Sequence, residues 1–204
     1  MTTQVNQPLK IGITGGIGSG KSYVCSKLHE LGIPIYNCDD EAKRLMTESL
    51  AIRQGLTTLL GNNAYSLSDD GQWMLNKQLI AQYLFAKKEN AEKINSIVHP
   101  AVKADFLLWA QKQDSSIIAQ ECAILFESGF EDTVDYTIEV FAPHSVRLQR
   151  AMARDNATSQ QIEARMAMQM PEEEKRQRAD FCIVNDGEAD VQSQIEAMMK
   201  RLSD

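Results

Sequence analysis

The residues best equipped for chemistry stand in a single run, Gly15-Gly16-Ile17-Gly18-Ser19-Gly20-Lys21-Ser22, which fits the pattern G-x-x-x-x-G-K-[ST]. Glycines let successive backbone N–H groups converge on an anion with no Cβ in the way. A helix starting behind them adds the positive end of its dipole. The Lys21 ammonium can then reach the β- and γ-phosphates, and the Ser22 hydroxyl can ligate a Mg²⁺ that bridges them. A nucleoside triphosphate is the expected ligand.

Such a run works only between a strand and a helix, and both are legible. Residues 9–14 form a short apolar segment of strand character, and residues 22–31 carry apolar side chains at helical spacing and close at Gly32. A second strand over 33–36 leads into Asn37-Cys38-Asp39-Asp40. In open α/β sheets ligands sit beyond the carboxyl ends of strands, which points this acidic pair toward the triphosphate. Asp39 has two readings, the N-cap of a helix over 41–50 or a base that accepts a hydroxyl proton during phosphoryl transfer. Its place at a strand end favours the base.

Between 51 and 112 the strand signal nearly vanishes, apart from a turn at Ser68-Asp69-Asp70-Gly71, and apolar residues recur at helical spacing. A crossover between parallel strands needs only a dozen or so residues. The surplus therefore reads as a helical insertion that covers the substrate, with His99 lining the substrate pocket rather than catalysing. A third strand over 116–121 ends in Glu121, with Leu125-Phe126-Glu127 just beyond. Carboxylates at this strand end hold Mg²⁺ directly or through water, the alternative for Glu127 being a solvated loop side chain.

Strands over 134–141 and 181–185, a turn at Asp186-Gly187 and an amphipathic helix over 191–202 complete the pattern. Between those strands lies the most basic stretch. Arg147, Arg150 and Arg154, three and four residues apart, share a helix face, and Arg165, Lys175, Arg176 and Arg178 follow after helix starts at Thr158 and Pro171. The three arginines lack an equal number of evident acidic partners in a chain of net charge −7. That favours an anion-facing lid over a solvated charged face.

The expected fold is therefore α/β, a phosphate-loop three-layer αβα arrangement with a parallel five-stranded sheet. Its parts are a nucleotide-binding core over 1–50, the helical insertion over 51–113, core strands over 114–142, the lid over 143–180 and a closing strand and helix over 181–204. The acidic balance argues against a dedicated nucleic-acid binder. Cys25, Cys38, Cys122 and Cys182 show no metal or redox spacing and read as reduced thiols of a cytoplasmic protein. Residues 1–8 lack the basic and apolar regions of a signal peptide, and the apolar stretch over 117–126 is too short to span a bilayer, so no membrane partner is expected. No feature of the sequence sets an oligomeric state.

With these pieces placed, the chain resembles the dephospho-CoA kinase family over nearly its whole length. The resemblance rests on residues 13–22, on Leu31-Gly32-Ile33 leading to Asp39, on Ile97-Val98-His99-Pro100, and on Leu125-Phe126-Glu127. It continues through Arg150-x-x-x-Arg154-Asp155 and Ala179-Asp180-Phe181 to Asn185 with Gly187. It implies transfer of the ATP γ-phosphate to the ribose 3′-hydroxyl of dephospho-CoA, with Mg²⁺ accompanying ATP. Asp39 would be the base near that hydroxyl, and Arg150 would bind phosphate and stabilise charge during transfer. The helical insertion would hold the CoA moiety. Gly15, Gly16, Ile17, Gly18, Ser19, Gly20, Lys21 and Ser22, joined by Tyr23, Arg154 and Asn185, would form the ATP side. Asp39, His99, Glu127 and Arg150 would face the acceptor, and Ser22 and Glu121 the metal. The chain departs from the family pattern at Asn37, where the first Asp of an Asp-Ala-Asp is usual, at Ala123, where a proline is usual, and at Lys77, where Arg is common.

A GTPase switch would need Asn-Lys-x-Asp, and Asn76-Lys77-Gln78-Leu79 lacks the Asp. The nearer rival is another small-molecule kinase, for nucleoside monophosphates or shikimate-like alcohols. A non-catalytic nucleotide-binding module is disfavoured by Asp39 and the basic segment.

Overall fold

The computed structural model describes residues 7–203; the start expected to be polar and leaderless therefore lies, over residues 1–6, outside the described residues. The chain divides into two compact units, one comprising the chain up to Asn37 and from Trp109 onward, the other Cys38–Leu108.

The first unit is built on β1 (Leu9–Thr14), whose last four residues are all buried. A strand buried on both faces belongs at the centre of a parallel sheet. It pairs in parallel with β5 (Ile117–Glu121) on one side and with β6 (Tyr136–Phe141) on the other. Beyond them β2 (Ile35–Asn37) and β7 (Phe181–Val184) form the edges, giving the order β2-β5-β1-β6-β7. On one face α1 (Lys21–Glu30) and α9 (Val191–Ser203) bury Val24, Leu28, Ile195 and Met198 against Ile11, Ile13, Ile138, Val140 and Ile183. The other face of β6 presents Thr137, Glu139 and Phe141 to α8 (Glu172–Arg178) and the residues after it, through Asp180 to Thr137 and Arg176 to Glu139 and Phe141. The result is the expected three-layer fold with five parallel strands.

The second unit is helical: α2 (Cys38–Glu48), α3 (Leu50–Leu60), α4 (Lys77–Ala86) and most of α5 (Lys88–Ala110). Ile52, Leu56, Ile80, Ile94, Val98, Val102 and Phe106 are buried, and Gly55 lets α3 approach α5 so closely that an added Cβ would lie 2.8 Å from Ile97. The sequence pattern missed a hairpin here, β3 (Tyr65–Leu67) with β4 (Trp73–Leu75), although it marked the turn between them. Strands of three residues leave too little alternation to read. It also ran one helix over 41–50, where the chain makes two. Ser49 is extended and accepts from the Ile52 N–H, capping α3 and breaking the helix before it.

Candidate active site

The loop between β1 and α1 has Gly15, Gly18 and Gly20 at φ of 148°, 80° and 92°. No side chain with a Cβ adopts the last two cheaply. Gly20 sits at the N-cap of α1, so the helix starts with its orphan N–H groups and positive dipole end at the loop. The Lys21 ammonium donates to the Gly15 carbonyl at 2.9 Å, folding back over the loop it follows.

Three side chains from distant sequence hold this loop. Asn185, at the end of β7 and buried, donates its amide to the Ser19 carbonyl at 2.8 Å, and a Cβ on Gly20 would fall 2.1 Å from that nitrogen. On the opposite turn the Ile17 N–H donates to Gln169 Oε1 at 2.9 Å. The Ile17 carbonyl faces the Arg147 guanidinium at 3.5 Å. Arg147, on α6 (His144–Asp155), also pairs with Glu172 at 3.5 Å, and both would collide with any Cβ at Gly16. A side chain at Gly16 would have to displace the tips of both, whereas its φ is not positive. Gln169 and Glu172 carry no signal in sequence, because contacts across more than 150 residues leave no local pattern.

The arginine face divides by environment. Arg150 donates to the Asn185 carbonyl at 2.8 Å and lines a cavity of about 540 Å³ with Gly20, Tyr23, Asn185, Gly187 and Gln192. Arg154 turns to solvent and forks onto Asp155, which also accepts a single hydrogen bond from Arg165; these two partners hold the Asp155 carboxyl far below the usual range. Lys175, fully buried, pairs with Glu127 at 3.5 Å, and Arg178 with Glu131. The expectation that Arg147, Arg150 and Arg154 lack an equal number of acidic partners fails for two of the three: Arg154 takes the adjacent Asp155, and Arg147 takes Glu172 of α8, an acid on another element that only folding brings to it. Glu127 also accepts from the Met170 N–H at 2.9 Å, so it ties the turn after β5 to residues 170–175. Beneath them Glu139 is wholly buried, and burial first, then the neighbouring Glu172, pushes its carboxyl up to about 7 against the opposing pull of Arg176, Lys175 and Arg147.

At the ends of β2 and β5, Asn37 and Glu121 are register partners. Glu121 Oε1 accepts from the Ser22 hydroxyl at 3.1 Å and Oε2 from the Asn37 amide at 3.0 Å. A hydroxyl that gives its proton to a carboxylate keeps its lone pairs for a cation, and hydroxyl and carboxylate oxygens suit a hard one. Among the described residues no group of three or more His, Cys, Asp or Glu could hold a metal. A Mg²⁺ here would therefore take its remaining ligands from phosphate and water, as Mg²⁺ usually does.

Asp39 and Asp40 follow two and three residues after Asn37, exposed in the first turn of α2. The helix begins at Cys38, three residues before the expected start, so Asp39 lies inside it and is not its N-cap. His99 is half-buried in the second unit, one residue before the mid-helix Pro100 of α5, and burial followed by the charge of Lys103 lowers its pKa.

A family model described as dephospho-CoA kinase matches residues 9–191. A dephospho-CoA kinase of Bacteroides fragilis is 47% identical over 188 residues, covering 92% of this chain and 89% of its own. A solved structure from Thermus thermophilus superposes with a TM-score of 0.80 at 30% identity, covering 96% of this chain and 98% of that one. A dephospho-CoA kinase structure from Campylobacter jejuni gives 0.67 at 24% identity, with 95% and 96% covered.

Proposed function

The chain belongs to the dephospho-CoA kinase family, and from that premise we propose how its residues divide the transfer of the ATP γ-phosphate to the ribose 3′-hydroxyl of dephospho-CoA, the last step of coenzyme A synthesis. The observation that carries the division is the meeting of Gly20, Arg150 and Asn185 around one cavity beside the phosphate-binding loop. ATP sits there, with Tyr23, Gly187 and Gln192 along its base and ribose and the loop N–H groups around its phosphates. Lys21 leaves the Gly15 carbonyl for the β- and γ-phosphates. Arg150, already fixed at one end by the Asn185 carbonyl, offers its remaining N–H groups to the charge that develops on the migrating group.

Ser22 and Glu121 would hold the Mg²⁺ that accompanies ATP, and the ion would supply neutralisation of the phosphate charge. Asp39 is exposed two residues past the end of β2, and it accepts the hydroxyl proton as the acceptor attacks. The Cys38–Leu108 unit binds the CoA moiety, and His99 lines its pocket. The 143–180 segment supplies the cover over the phosphates, with Arg147 and Gln169 of that segment bonded to the loop. Among the described residues the four cysteines form no disulfide and three of them are buried, which supports action in the reducing cytoplasm. Among the described residues no helix is long and apolar enough to cross a membrane.

The purified protein with ATP·Mg²⁺ tests the reading when dephospho-CoA, nucleoside monophosphates and shikimate are offered in parallel. Turnover of dephospho-CoA alone is expected. Comparable turnover of a nucleoside monophosphate would move the acceptor assignment to that class.

A further inference from the structure

We propose that Asn37 is a positioning residue for the cation that accompanies ATP, acting through Glu121. The inference deepens the reading of Ser22 and Glu121 given above and rests on it.

The pairing register of β2 with β5 sets Asn37 directly beside Glu121, at the carboxyl ends of both strands and next to the phosphate-binding loop. In this parallel pair the two side chains share one face of the sheet, so the fold brings them within reach of each other. A carboxylate only accepts hydrogen bonds, so the Asn37 amide nitrogen must face it, and it does so at 3.0 Å. The opposite oxygen of the same carboxylate takes the Ser22 proton at 3.1 Å. The buried Cys25 thiol also lies against Glu121, its pKa raised by burial and then by that carboxylate.

The carboxylate is thereby held between a donor on the phosphate loop and a donor on the neighbouring strand. With only Ser22 the Glu121 side chain could rotate about its own bonds; with Asn37 as well, both oxygens are fixed. Outer partners of metal-side carboxylates act this way, setting the direction of the ligand without touching the ion. Asparagine does so with no added charge. A second carboxylate at this distance would oppose Glu121 instead of donating to it.

The test is a double-mutant cycle on the full chain with Asn37→Leu, which keeps the branched skeleton and removes the donor, and Glu121→Ala. The readout is the dissociation constant of the β,γ-imido analogue of ATP by calorimetry, with Mn²⁺ and with EDTA. The ratio of the two isolates the cation's share, and melting curves check folding. Asn37→Leu is expected to reduce that ratio by about tenfold, to leave the EDTA value unchanged, and to have no further effect in the Glu121→Ala background. An equal loss in both backgrounds would overturn the proposal, since Asn37 would then act without Glu121. So would an unchanged ratio in Asn37→Leu while Glu121→Ala lowers it. A silent Glu121→Ala is a different failure: it removes Glu121 from the cation and takes the premise with it. If Asn37→Leu melts early, Asn37→Ser repeats the cycle with a shorter donor that cannot span the gap, and the same outcomes decide.

Discussion

Replacing Asn185 separates support of the phosphate loop from direct contact with nucleotide. Its amide reaches the Ser19 carbonyl at 2.8 Å in a buried setting, while its own carbonyl takes the Arg150 guanidinium. Asn185→Ala strands a buried backbone acceptor, which costs about 1–3 kcal/mol. In a protein of this size each kcal/mol moves Tm by about 2–4 °C, so the ligand-free variant should melt roughly 2–12 °C lower. If the whole of that loss lies in the loop, ATP affinity falls by up to about 5- to 150-fold, at one decade per 1.36 kcal/mol. Asn185→Asp should do worse, because it turns an oxygen toward an oxygen. Melting followed by circular dichroism with and without ATP·Mg²⁺, alongside KM for ATP, reads both quantities. An unchanged ligand-free Tm with a raised KM would refute the reasoning and make Asn185 a nucleotide ligand only.

Lys21→Ala should abolish phosphoryl transfer and leave the far-ultraviolet spectrum unchanged, since the side chain makes an exchangeable contact with Gly15 and supports no core. Asp39→Asn should slow the chemical step by about a hundredfold or more in single-turnover assays, while the loss of one carboxylate from the first turn of α2 costs at most about 1 kcal/mol. Arg150→Lys keeps the charge but not the fork that spans Asn185 and phosphate; steady-state turnover should drop tenfold or more, on roughly 1.5–3 kcal/mol for a hydrogen bond to a charged group. Glu139 carries a carboxyl raised to about 7, so the folded state binds its proton more tightly than the unfolded state does. Its contribution is full below the usual carboxylate range and is lost as pH rises through about 7. Urea titrations at pH 5 and pH 8 should therefore show Glu139→Gln gaining stability relative to the parent as pH rises, and a pH-independent difference would remove the assignment.

Local pattern determined the phosphate loop, the five strands and most helices, because a glycine-rich strand-to-helix turn and the two hydrophobic periods are written within a dozen residues. The family was legible for the same reason, as its motifs are short and keep their order. The loop's supports were not. Gln169, Glu172 and Arg147 meet Gly16 and Ile17 only after α6 and α8 pack against the sheet, and the acidic partners of the basic segment come from elements up to some fifty residues away. The helix start at Cys38 and the break at Ser49 escaped because several polar residues in that stretch could cap, and packing chose among them. What tertiary structure alone decided is which polar side chain faces which. The register of β2 on β5 turned Asn37, in sequence merely a neutral residue two positions before a more promising acid, into the partner of Glu121. Register depends on the burial of whole strands and not on the residue that benefits from it.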